Sequence, residues 1–206
     1  MSDATAPGAV WAVVLAAGRG RRFGSDKMAA RLAGRPLLDH TLDALATATE
    51  SGVVAGTVVV VAAGAAPPEA GGRVVVENPD PKSGLSGSLR LGISQLDSPT
   101  TVPRAAAALI VLGDQPMIRP AVIYRLIEAW RAGESVVRPC YADDPDAPGH
   151  PVVIDRSRWD LVHTLEGDRG LGTRLKDLDE VATIAVGGCN PDIDTPADLA
   201  ELEGQC

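Results

Sequence analysis

The sequence predicts a single α/β domain of three layers, with helices on both faces of a mostly parallel sheet. Apolar runs of strand length alternate with segments of helical spacing over most of the chain, and that alternation marks successive β-α-β units. Aromatic residues are scarce: three Trp, two Tyr and one Phe. The interior must therefore be built from Val, Leu, Ile and Ala, the mix expected of buried strands flanked by helices. The length of 206 residues suits one domain, and no internal repeat or linker composition divides it.

Each element has its own signal. Val10–Ala16 is an apolar run feeding a Gly-Arg-Gly loop, a buried strand. Pro36–Thr49 carries Leu37, Leu38, Leu42 and Leu45 at helical spacing, with Pro36 in the first turn, where proline is tolerated. Thr57–Ala63 is β-branched and reads as a second strand. Residues 64–72 form an Ala, Gly and Pro loop, followed by a short strand at Arg73–Glu77. Asn78–Gly84 reads as a turn-rich loop and Ser86–Leu96 as a helix. Residues 97–104 form another loop. Ala105–Leu112 is a buried strand that ends in Gly113-Asp114-Gln115-Pro116. Pro120–Ala132 is an amphipathic helix, Ser135–Cys140 a strand, Tyr141–Gly149 an acidic loop and Pro151–Ile154 a short strand. Arg156–Leu165 and Leu171–Leu178 read as short helices, Val181–Val186 as a strand and Thr195–Leu202 as a closing helix. Residues 1–9 read as a disordered leader, leaving 10–206 as the domain.

Charge and cysteine usage exclude several classes. The net charge of −8 speaks against nucleic acid, because a phosphate-backbone binder needs a basic surplus. Yet Arg19, Arg21, Arg22, Lys27, Arg31 and Arg35 crowd one early segment, a local patch suited to a small anion. Three cysteines with no C-x-x-C indicate neither a disulfide framework nor a zinc site. No apolar run is long enough to span a bilayer, and the first residues lack a signal peptide's pattern. A cytoplasmic protein without a membrane or nucleic-acid partner is the expectation.

The segment from Leu15 to Lys27 reads Leu-Ala-Ala-Gly-Arg-Gly-Arg-Arg-Phe-Gly-Ser-Asp-Lys. Glycines let backbone N–H groups approach a polyphosphate, and Arg and Lys add mobile positive charge. It is neither a Walker A loop nor a dinucleotide fingerprint. Of nineteen Lys and Arg, only Lys27, Lys82 and Lys176 are lysines, so lysine at 27 stands out as a chosen point charge. Leu15, Ala16, Ala17, Gly18, Gly20 and Gly24 are thus candidate nucleotide-binding positions, with Arg19 and Lys27 as the charged groups. Asp114 follows a buried strand, where a carboxylate either reaches a metal on a triphosphate or serves a turn. In Asp192-Ile-Asp194-Thr-Pro-Ala-Asp198, Thr195 reads as an N-cap with Pro196 at the first helical position and Asp198 completing a capping pattern. This leaves Asp192 and Asp194 unexplained. In an open parallel sheet, ligands bind beyond the carboxyl ends of the strands, where these turns converge.

The stretch Leu-Ala-Ala-Gly-x-Gly-x-Arg-x-Gly-x-x-Lys resembles the opening signature of the nucleotidyltransferases related to the molybdenum cofactor cytidylyl- and guanylyltransferases, the MobA-like superfamily. The resemblance touches segments from Leu15 to Leu199. It implies a Rossmann-like sheet of the nucleotide-diphospho-sugar transferase type. It also implies metal-binding roles for Asp114 and Asp194, with Mg²⁺ or Mn²⁺ as the cofactor. Ser88, in Gly-Leu-Ser-Gly-Ser-Leu, becomes the base- or sugar-reading residue, although cytidylyl relatives more often show Gly-Met-Ser-Ser-Ser-Leu. His150 and, in Glu-Gly-Asp-Arg-Gly, Asp168 and Arg169 are placed on the acceptor side. Aspartate at 194, where guanylyl relatives more often carry Asn, points to CTP as donor. The implied acceptor is molybdopterin or its molybdenum-loaded form, with a molybdenum hydroxylase or its maturation factor as the recipient. A sugar- or polyol-phosphate acceptor keeps the same chemistry, and a catalytically silent nucleotide-binding accessory protein is the reading from a different class.

Overall fold

The computed structural model describes residues 8–18, 23–24, 26–66, 68, 71–145, 149–167, 171–175, 178 and 180–205. Strand β1 (Ala9–Ala16) is buried almost throughout, as its unbroken apolar run requires. It begins one residue inside the segment read as a leader, because Ala9 pairs with Ala105. A two-strand hairpin follows, β2 (Arg31–Leu32) and β3 (Arg35–Pro36), which the sequence did not predict. Pro36 belongs to this hairpin and not to the helix. Its ψ of 140° is non-helical, and Leu37 N donates back to Ala30 O at 2.7 Å. Helix α1 therefore starts at Leu37 and runs to Glu50.

Then come β4 (Gly56–Ala62), β5 (Val74–Asn78), a 3-10 turn at Pro81–Ser83, α2 (Gly84–Leu96) and β6 (Ala105–Leu112). Helix α3 (Pro120–Arg131) leads to β7 (Val136–Tyr141) and β8 (Val152–Asp155). The helix expected over 156–165 is split into a 3-10 turn, Arg156–Arg158, and α4 (Asp160–His163). Asp155 caps the start of the 3-10 turn, its carboxylate accepting from Ser157 N at 2.9 Å. Helix α5 (Leu171–Leu175), β9 (Ala182–Val186) and α6 (Pro196–Gln205) complete the order.

The main sheet has seven strands in the order β5-β4-β1-β6-β8-β7-β9. Only β8 runs against its neighbours; the other pairings are parallel. Side chains alternate across β1. Ala12 and Val14 pack with Leu42, Leu45, Ile123 and Ile127 of α1 and α3 on one face. Trp11, Val13 and Leu15 pack with Leu89 and Ile93 of α2 and with Val162 of α4 on the other. This gives the three layers that the strand–helix alternation predicts. Among the described residues, no helix is long and apolar enough to cross a membrane.

A third, smaller cluster lies beyond the strand ends. Leu32, Leu37, Ile193 and Leu202 are its buried members, with Phe23, Met117 and Leu199 packed against them. It joins chain segments that adjoin Lys27, Asp114 and Asp194, and so fixes where those three side chains meet.

Candidate active site

The parallel strands β1 and β6 end side by side, with Leu15 in register with Leu112. Gly113 N donates to Leu15 O at 3.0 Å. Glycine suits this close approach, since a Cβ there would stand tightly at 3.1 Å from Met28 Sδ and 3.2 Å from Leu15 O. Asp114 is thereby brought against the segment that follows β1.

Lys27 opens a 3-10 turn, Lys27–Ala29, capped by Asp26, whose carboxylate accepts from Met28 N at 3.0 Å. The Lys27 side chain does not project to solvent; only 8% of it is exposed. Its Nζ donates to Asp114 Oδ2 at 2.5 Å and to Asp194 Oδ1 at 3.0 Å. Burial works against its charge, but the two carboxylates outweigh burial and hold Lys27 above its ordinary value of 10.5. The ammonium is therefore fixed in its charged form at neutral pH.

Asp194 is held from the other side. Thr195 Oγ1 accepts from Asp198 N at 3.2 Å, while Asp198 Oδ2 accepts from Thr195 N at 2.8 Å and from Asp194 N at 2.9 Å. This is the capping pattern read from the sequence, and it also aims Asp194. Ile193 N donates to Asp114 O at 3.1 Å, joining the two carboxylate-bearing segments through the backbone.

The arrangement fits a hard divalent cation. Asp114 Oδ1 is buried and without a hydrogen-bond partner among the described residues, a costly state for an isolated carboxylate oxygen. Two carboxylates against one ammonium leave a negative balance that repels a polyphosphate until a cation reverses it. Among the described residues, no group of three or more His, Cys, Asp or Glu converges as a metal cage. Mg²⁺ characteristically takes one or two carboxylates and completes its shell with water and substrate phosphates.

The remaining predicted residues fall in different places. Leu15, Ala16 and Ala17 are buried at the end of β1, and Gly18 is exposed beyond them. Gly24 has φ of +77°, a left-handed conformation that favours glycine. Arg19, Gly20, Asp168 and Arg169 lie outside the described residues. Ser88 is buried in the first turns of α2; its Oγ accepts from Asn78 Nδ2 at 3.0 Å and donates to Gly84 O at 3.4 Å. A fully exposed surface location, the ordinary expectation for a loop histidine, does not hold for His150, which is half-buried. Burial lowers its pKa to about 4, so the ring is neutral. Its carbonyl accepts from Tyr141 Oη at 2.8 Å, and burial pushes the Tyr141 phenol up to about 12, which keeps it a donor.

Sequence reasoning missed one polar group here. Gln115, Asn190 and Asp192 form a partly buried chain: Gln115 Nε2 donates to Asp192 Oδ1 at 2.9 Å, and Asn190 Nδ2 donates to Gln115 Oε1 at 3.2 Å. Burial raises the Asp192 carboxyl above its usual range, and the charges of Asp114 and Asp194 add to the effect. The only signal in the sequence was an Asp192 left unexplained by helix capping.

Comparison with known proteins shows the family. A probable molybdenum cofactor guanylyltransferase from Thermococcus gammatolerans is 30% identical over 169 residues, covering 80% of this chain and 81% of that protein. The bifunctional protein GlmU of Bordetella petrii is 33% identical over 159 residues, 75% of this chain but 33% of that one. The crystal structure of Rv0371c from Mycobacterium tuberculosis H37Rv superposes with a TM-score of 0.79 at 27% identity, covering 97% of this chain and 100% of that one. Its complex with manganese superposes with a TM-score of 0.78 at 27% identity, covering 96% and 100%. The model of the MobA-like NTP transferase domain matches residues 12–181, a span holding both Lys27 and Asp114, and the chain belongs to that family of nucleotidyltransferases.

Proposed function

We propose that this protein transfers CMP from CTP to the phosphate of a molybdopterin-type acceptor, with a divalent cation held by Asp114 and Asp194. The observation that carries the reading is the meeting of one buried ammonium with two carboxylates beyond the ends of β1 and β6. An oxygen of the acceptor phosphate forms a bond to the α-phosphorus of the triphosphate. The bond from that phosphorus to the oxygen bridging to the β-phosphate breaks, and pyrophosphate leaves with the electron pair. An ionised phosphate is already a nucleophile, so no side chain has to accept a proton. The residues contribute position and charge.

Lys27, kept cationic by its carboxylate neighbours, donates to the oxygens that gain charge on the α-phosphate and the leaving pyrophosphate. Arg19 shares this charge-neutralising role. Asp114 and Asp194 would hold Mg²⁺ or Mn²⁺, which would supply positive charge to the phosphate oxygens. The backbone from Leu15 to Gly24 cradles the triphosphate, and the start of α2 around Ser88 lies on the base side. His150, Asp168 and Arg169 belong to the acceptor side.

Aspartate at position 194 favours CTP. The Thermococcus relative named as a guanylyltransferase supports a second reading, GTP as donor with the same acceptor. Pyrophosphate release is the test, measured with each of the four triphosphates, with and without molybdopterin and with and without Mg²⁺. Release with CTP that requires both molybdopterin and metal is the expected result. Preference for GTP selects the second reading. Release without molybdopterin but with a sugar or polyol phosphate replaces the acceptor. No release under any condition leaves a nucleotide-binding accessory protein.

A further inference from the structure

Gln115 follows Asp114 directly and has no part in the transfer chemistry above, yet it is buried and bonded at both ends of its amide. Nε2 donates to Asp192 Oδ1 at 2.9 Å, and Oε1 accepts from Asn190 Nδ2 at 3.2 Å. Its carbonyl accepts from the buried hydroxyl of Thr41 at 3.4 Å. Gln115 and Asn190 are 6% and 9% exposed. With the bond from Ile193 N to Asp114 O, the turn at 114–115 is tied to 190–193 by both backbone and side chains.

Segment 190–194 has no regular secondary structure. No helix or sheet ladder sets the place of Asp194, and its side chain is 45% exposed. The capping bonds of Asp198 fix the Asp194 backbone relative to α6. They do not fix α6 relative to Asp114. Contacts that cross between the two carboxylate-bearing segments must do that. The Lys27 bridge to both carboxylates, the Ile193 backbone bond and the apolar contacts of Ile193, Leu199 and Leu202 are among them, and the Gln115 amide adds side-chain bonds to Asp192 and Asn190 within the segment that carries Asp194.

The chemistry of the pair restricts what position 115 can hold. A carboxylate only accepts and an amide NH₂ only donates toward its neighbour, so Asp192 on one side and Asn190 on the other require a donor and an acceptor on one planar group. Glutamate would face Asp192 with like charge, and an apolar residue would leave both neighbours short of a partner.

We infer that Gln115 is a positioning residue for the metal-binding pair: by gripping Asp192 and Asn190 it holds the Asp194 carboxylate opposite Asp114. The inference rests on the reading of Asp114 and Asp194 as the metal-binding carboxylates. It predicts that Gln115 acts on metal affinity without touching metal or substrate.

The test is Mn²⁺ binding to the nucleotide-free protein, followed by the paramagnetic resonance signal of free Mn²⁺, with thermal unfolding measured alongside. Wild type should bind, and Asp114→Asn should not. Gln115→Met and Gln115→Glu should bind about tenfold more weakly, the size of effect seen when a hydrogen bond supporting a metal site is removed. Asp192→Asn still offers an oxygen to Gln115 Nε2 and should stay within about threefold of wild type, since no supporting bond is lost. The exchange Gln115→Glu with Asp192→Asn restores the bond with its polarity reversed and should recover the affinity. That recovery remains readable if Gln115→Met or Gln115→Glu fails to fold.

Wild-type affinity in a folded Gln115→Met or Gln115→Glu overturns the inference, as does a folded exchange variant with weakened binding. Loss of binding in Asp192→Asn also overturns it, since Asp192 would then itself be a ligand. If Asp114→Asn binds Mn²⁺ like wild type, the metal reading fails instead, and the inference falls with it.

Discussion

The two halves of the sheet are built differently. On one side, β5, β4, β1 and β6 are all parallel, and β1 and β6 are each eight residues long. On the other, β8 is reversed and has four residues, and β9 at the edge alternates between half-buried and exposed up to the buried Val186 at its end. The first half supplies the ends of β1 and β6, and with them Lys27 and Asp114. The second leads to His150 and to the segment carrying Asp194. On the proposed function, donor chemistry would thus stand on a deeply buried frame, whereas the acceptor side and one of the two carboxylates assigned to the metal would hang from shorter elements. Interior parallel strands fix a site by packing; irregular segments have to fix it with specific hydrogen bonds.

The largest expected effect tests the donor half. Lys27→Ala should lower turnover by roughly 10²–10³-fold, the usual loss when one donor to developing negative charge is removed. Steady-state pyrophosphate release by a folded variant checks it, and unchanged turnover removes Lys27 from the chemistry.

Next comes stability across the two halves. Leu109, fully buried in β6, should cost about 3 kcal/mol when replaced by Ala. Ile184, half-buried in the edge strand β9, should cost only about 1 kcal/mol on the same change, because less apolar surface is lost. Urea unfolding of both variants measures the difference. Equal losses would break the comparison between the halves.

A smaller effect belongs to His150, which the proposed function assigns to the acceptor side. Its folded pKa of about 4 lies below the ordinary 6.5, so the unfolded chain binds the proton first. Its contribution to stability is complete above 6.5, falls as pH drops towards 4 and is flat below that. Discounted for the partial exposure of the residue, the effect is about 2 kcal/mol. Stability measured from pH 7 to pH 4 should therefore fall less steeply in His150→Gln than in wild type. Parallel curves would show that the ring is not held neutral.

Much of the frame was legible in the sequence, and the reasons are local. Ala105–Leu112 was read with its observed bounds because an all-apolar run ending in Gly-Asp admits little else. The β2–β3 hairpin was not legible. Its turn holds Ala33 at φ 49° and Gly34 at φ 80°, and left-handed turns of this kind usually announce themselves with Asn or Asp before Gly. Within the site, Lys27, Asp114 and Asp194 were each visible as residues. The bond of Lys27 to both carboxylates was not, since it depends on a cluster that gathers Leu32, Ile193 and Leu202 from distant parts of the chain. Gln115, Asn190 and Asp192 were hidden for the same reason. Each looks like an ordinary turn residue until folding places them together.

The smallest expected effect lies where the second half ends. Thr195 caps α6 through Asp198 N at 3.2 Å. Replacing it with Ala removes that bond and should cost about 1 kcal/mol. The reciprocal bonds from Asp198 to the backbone of Asp194 and Thr195 do not involve the lost hydroxyl. Asp194 should therefore keep its aim, and Thr195→Ala should unfold at slightly lower urea with metal-dependent turnover nearly intact. If turnover falls as sharply as stability, or more, the cap itself sets the carboxylate. The hydrogen bonds that position the acceptor half would then include the threonine hydroxyl as well as the Gln115 amide.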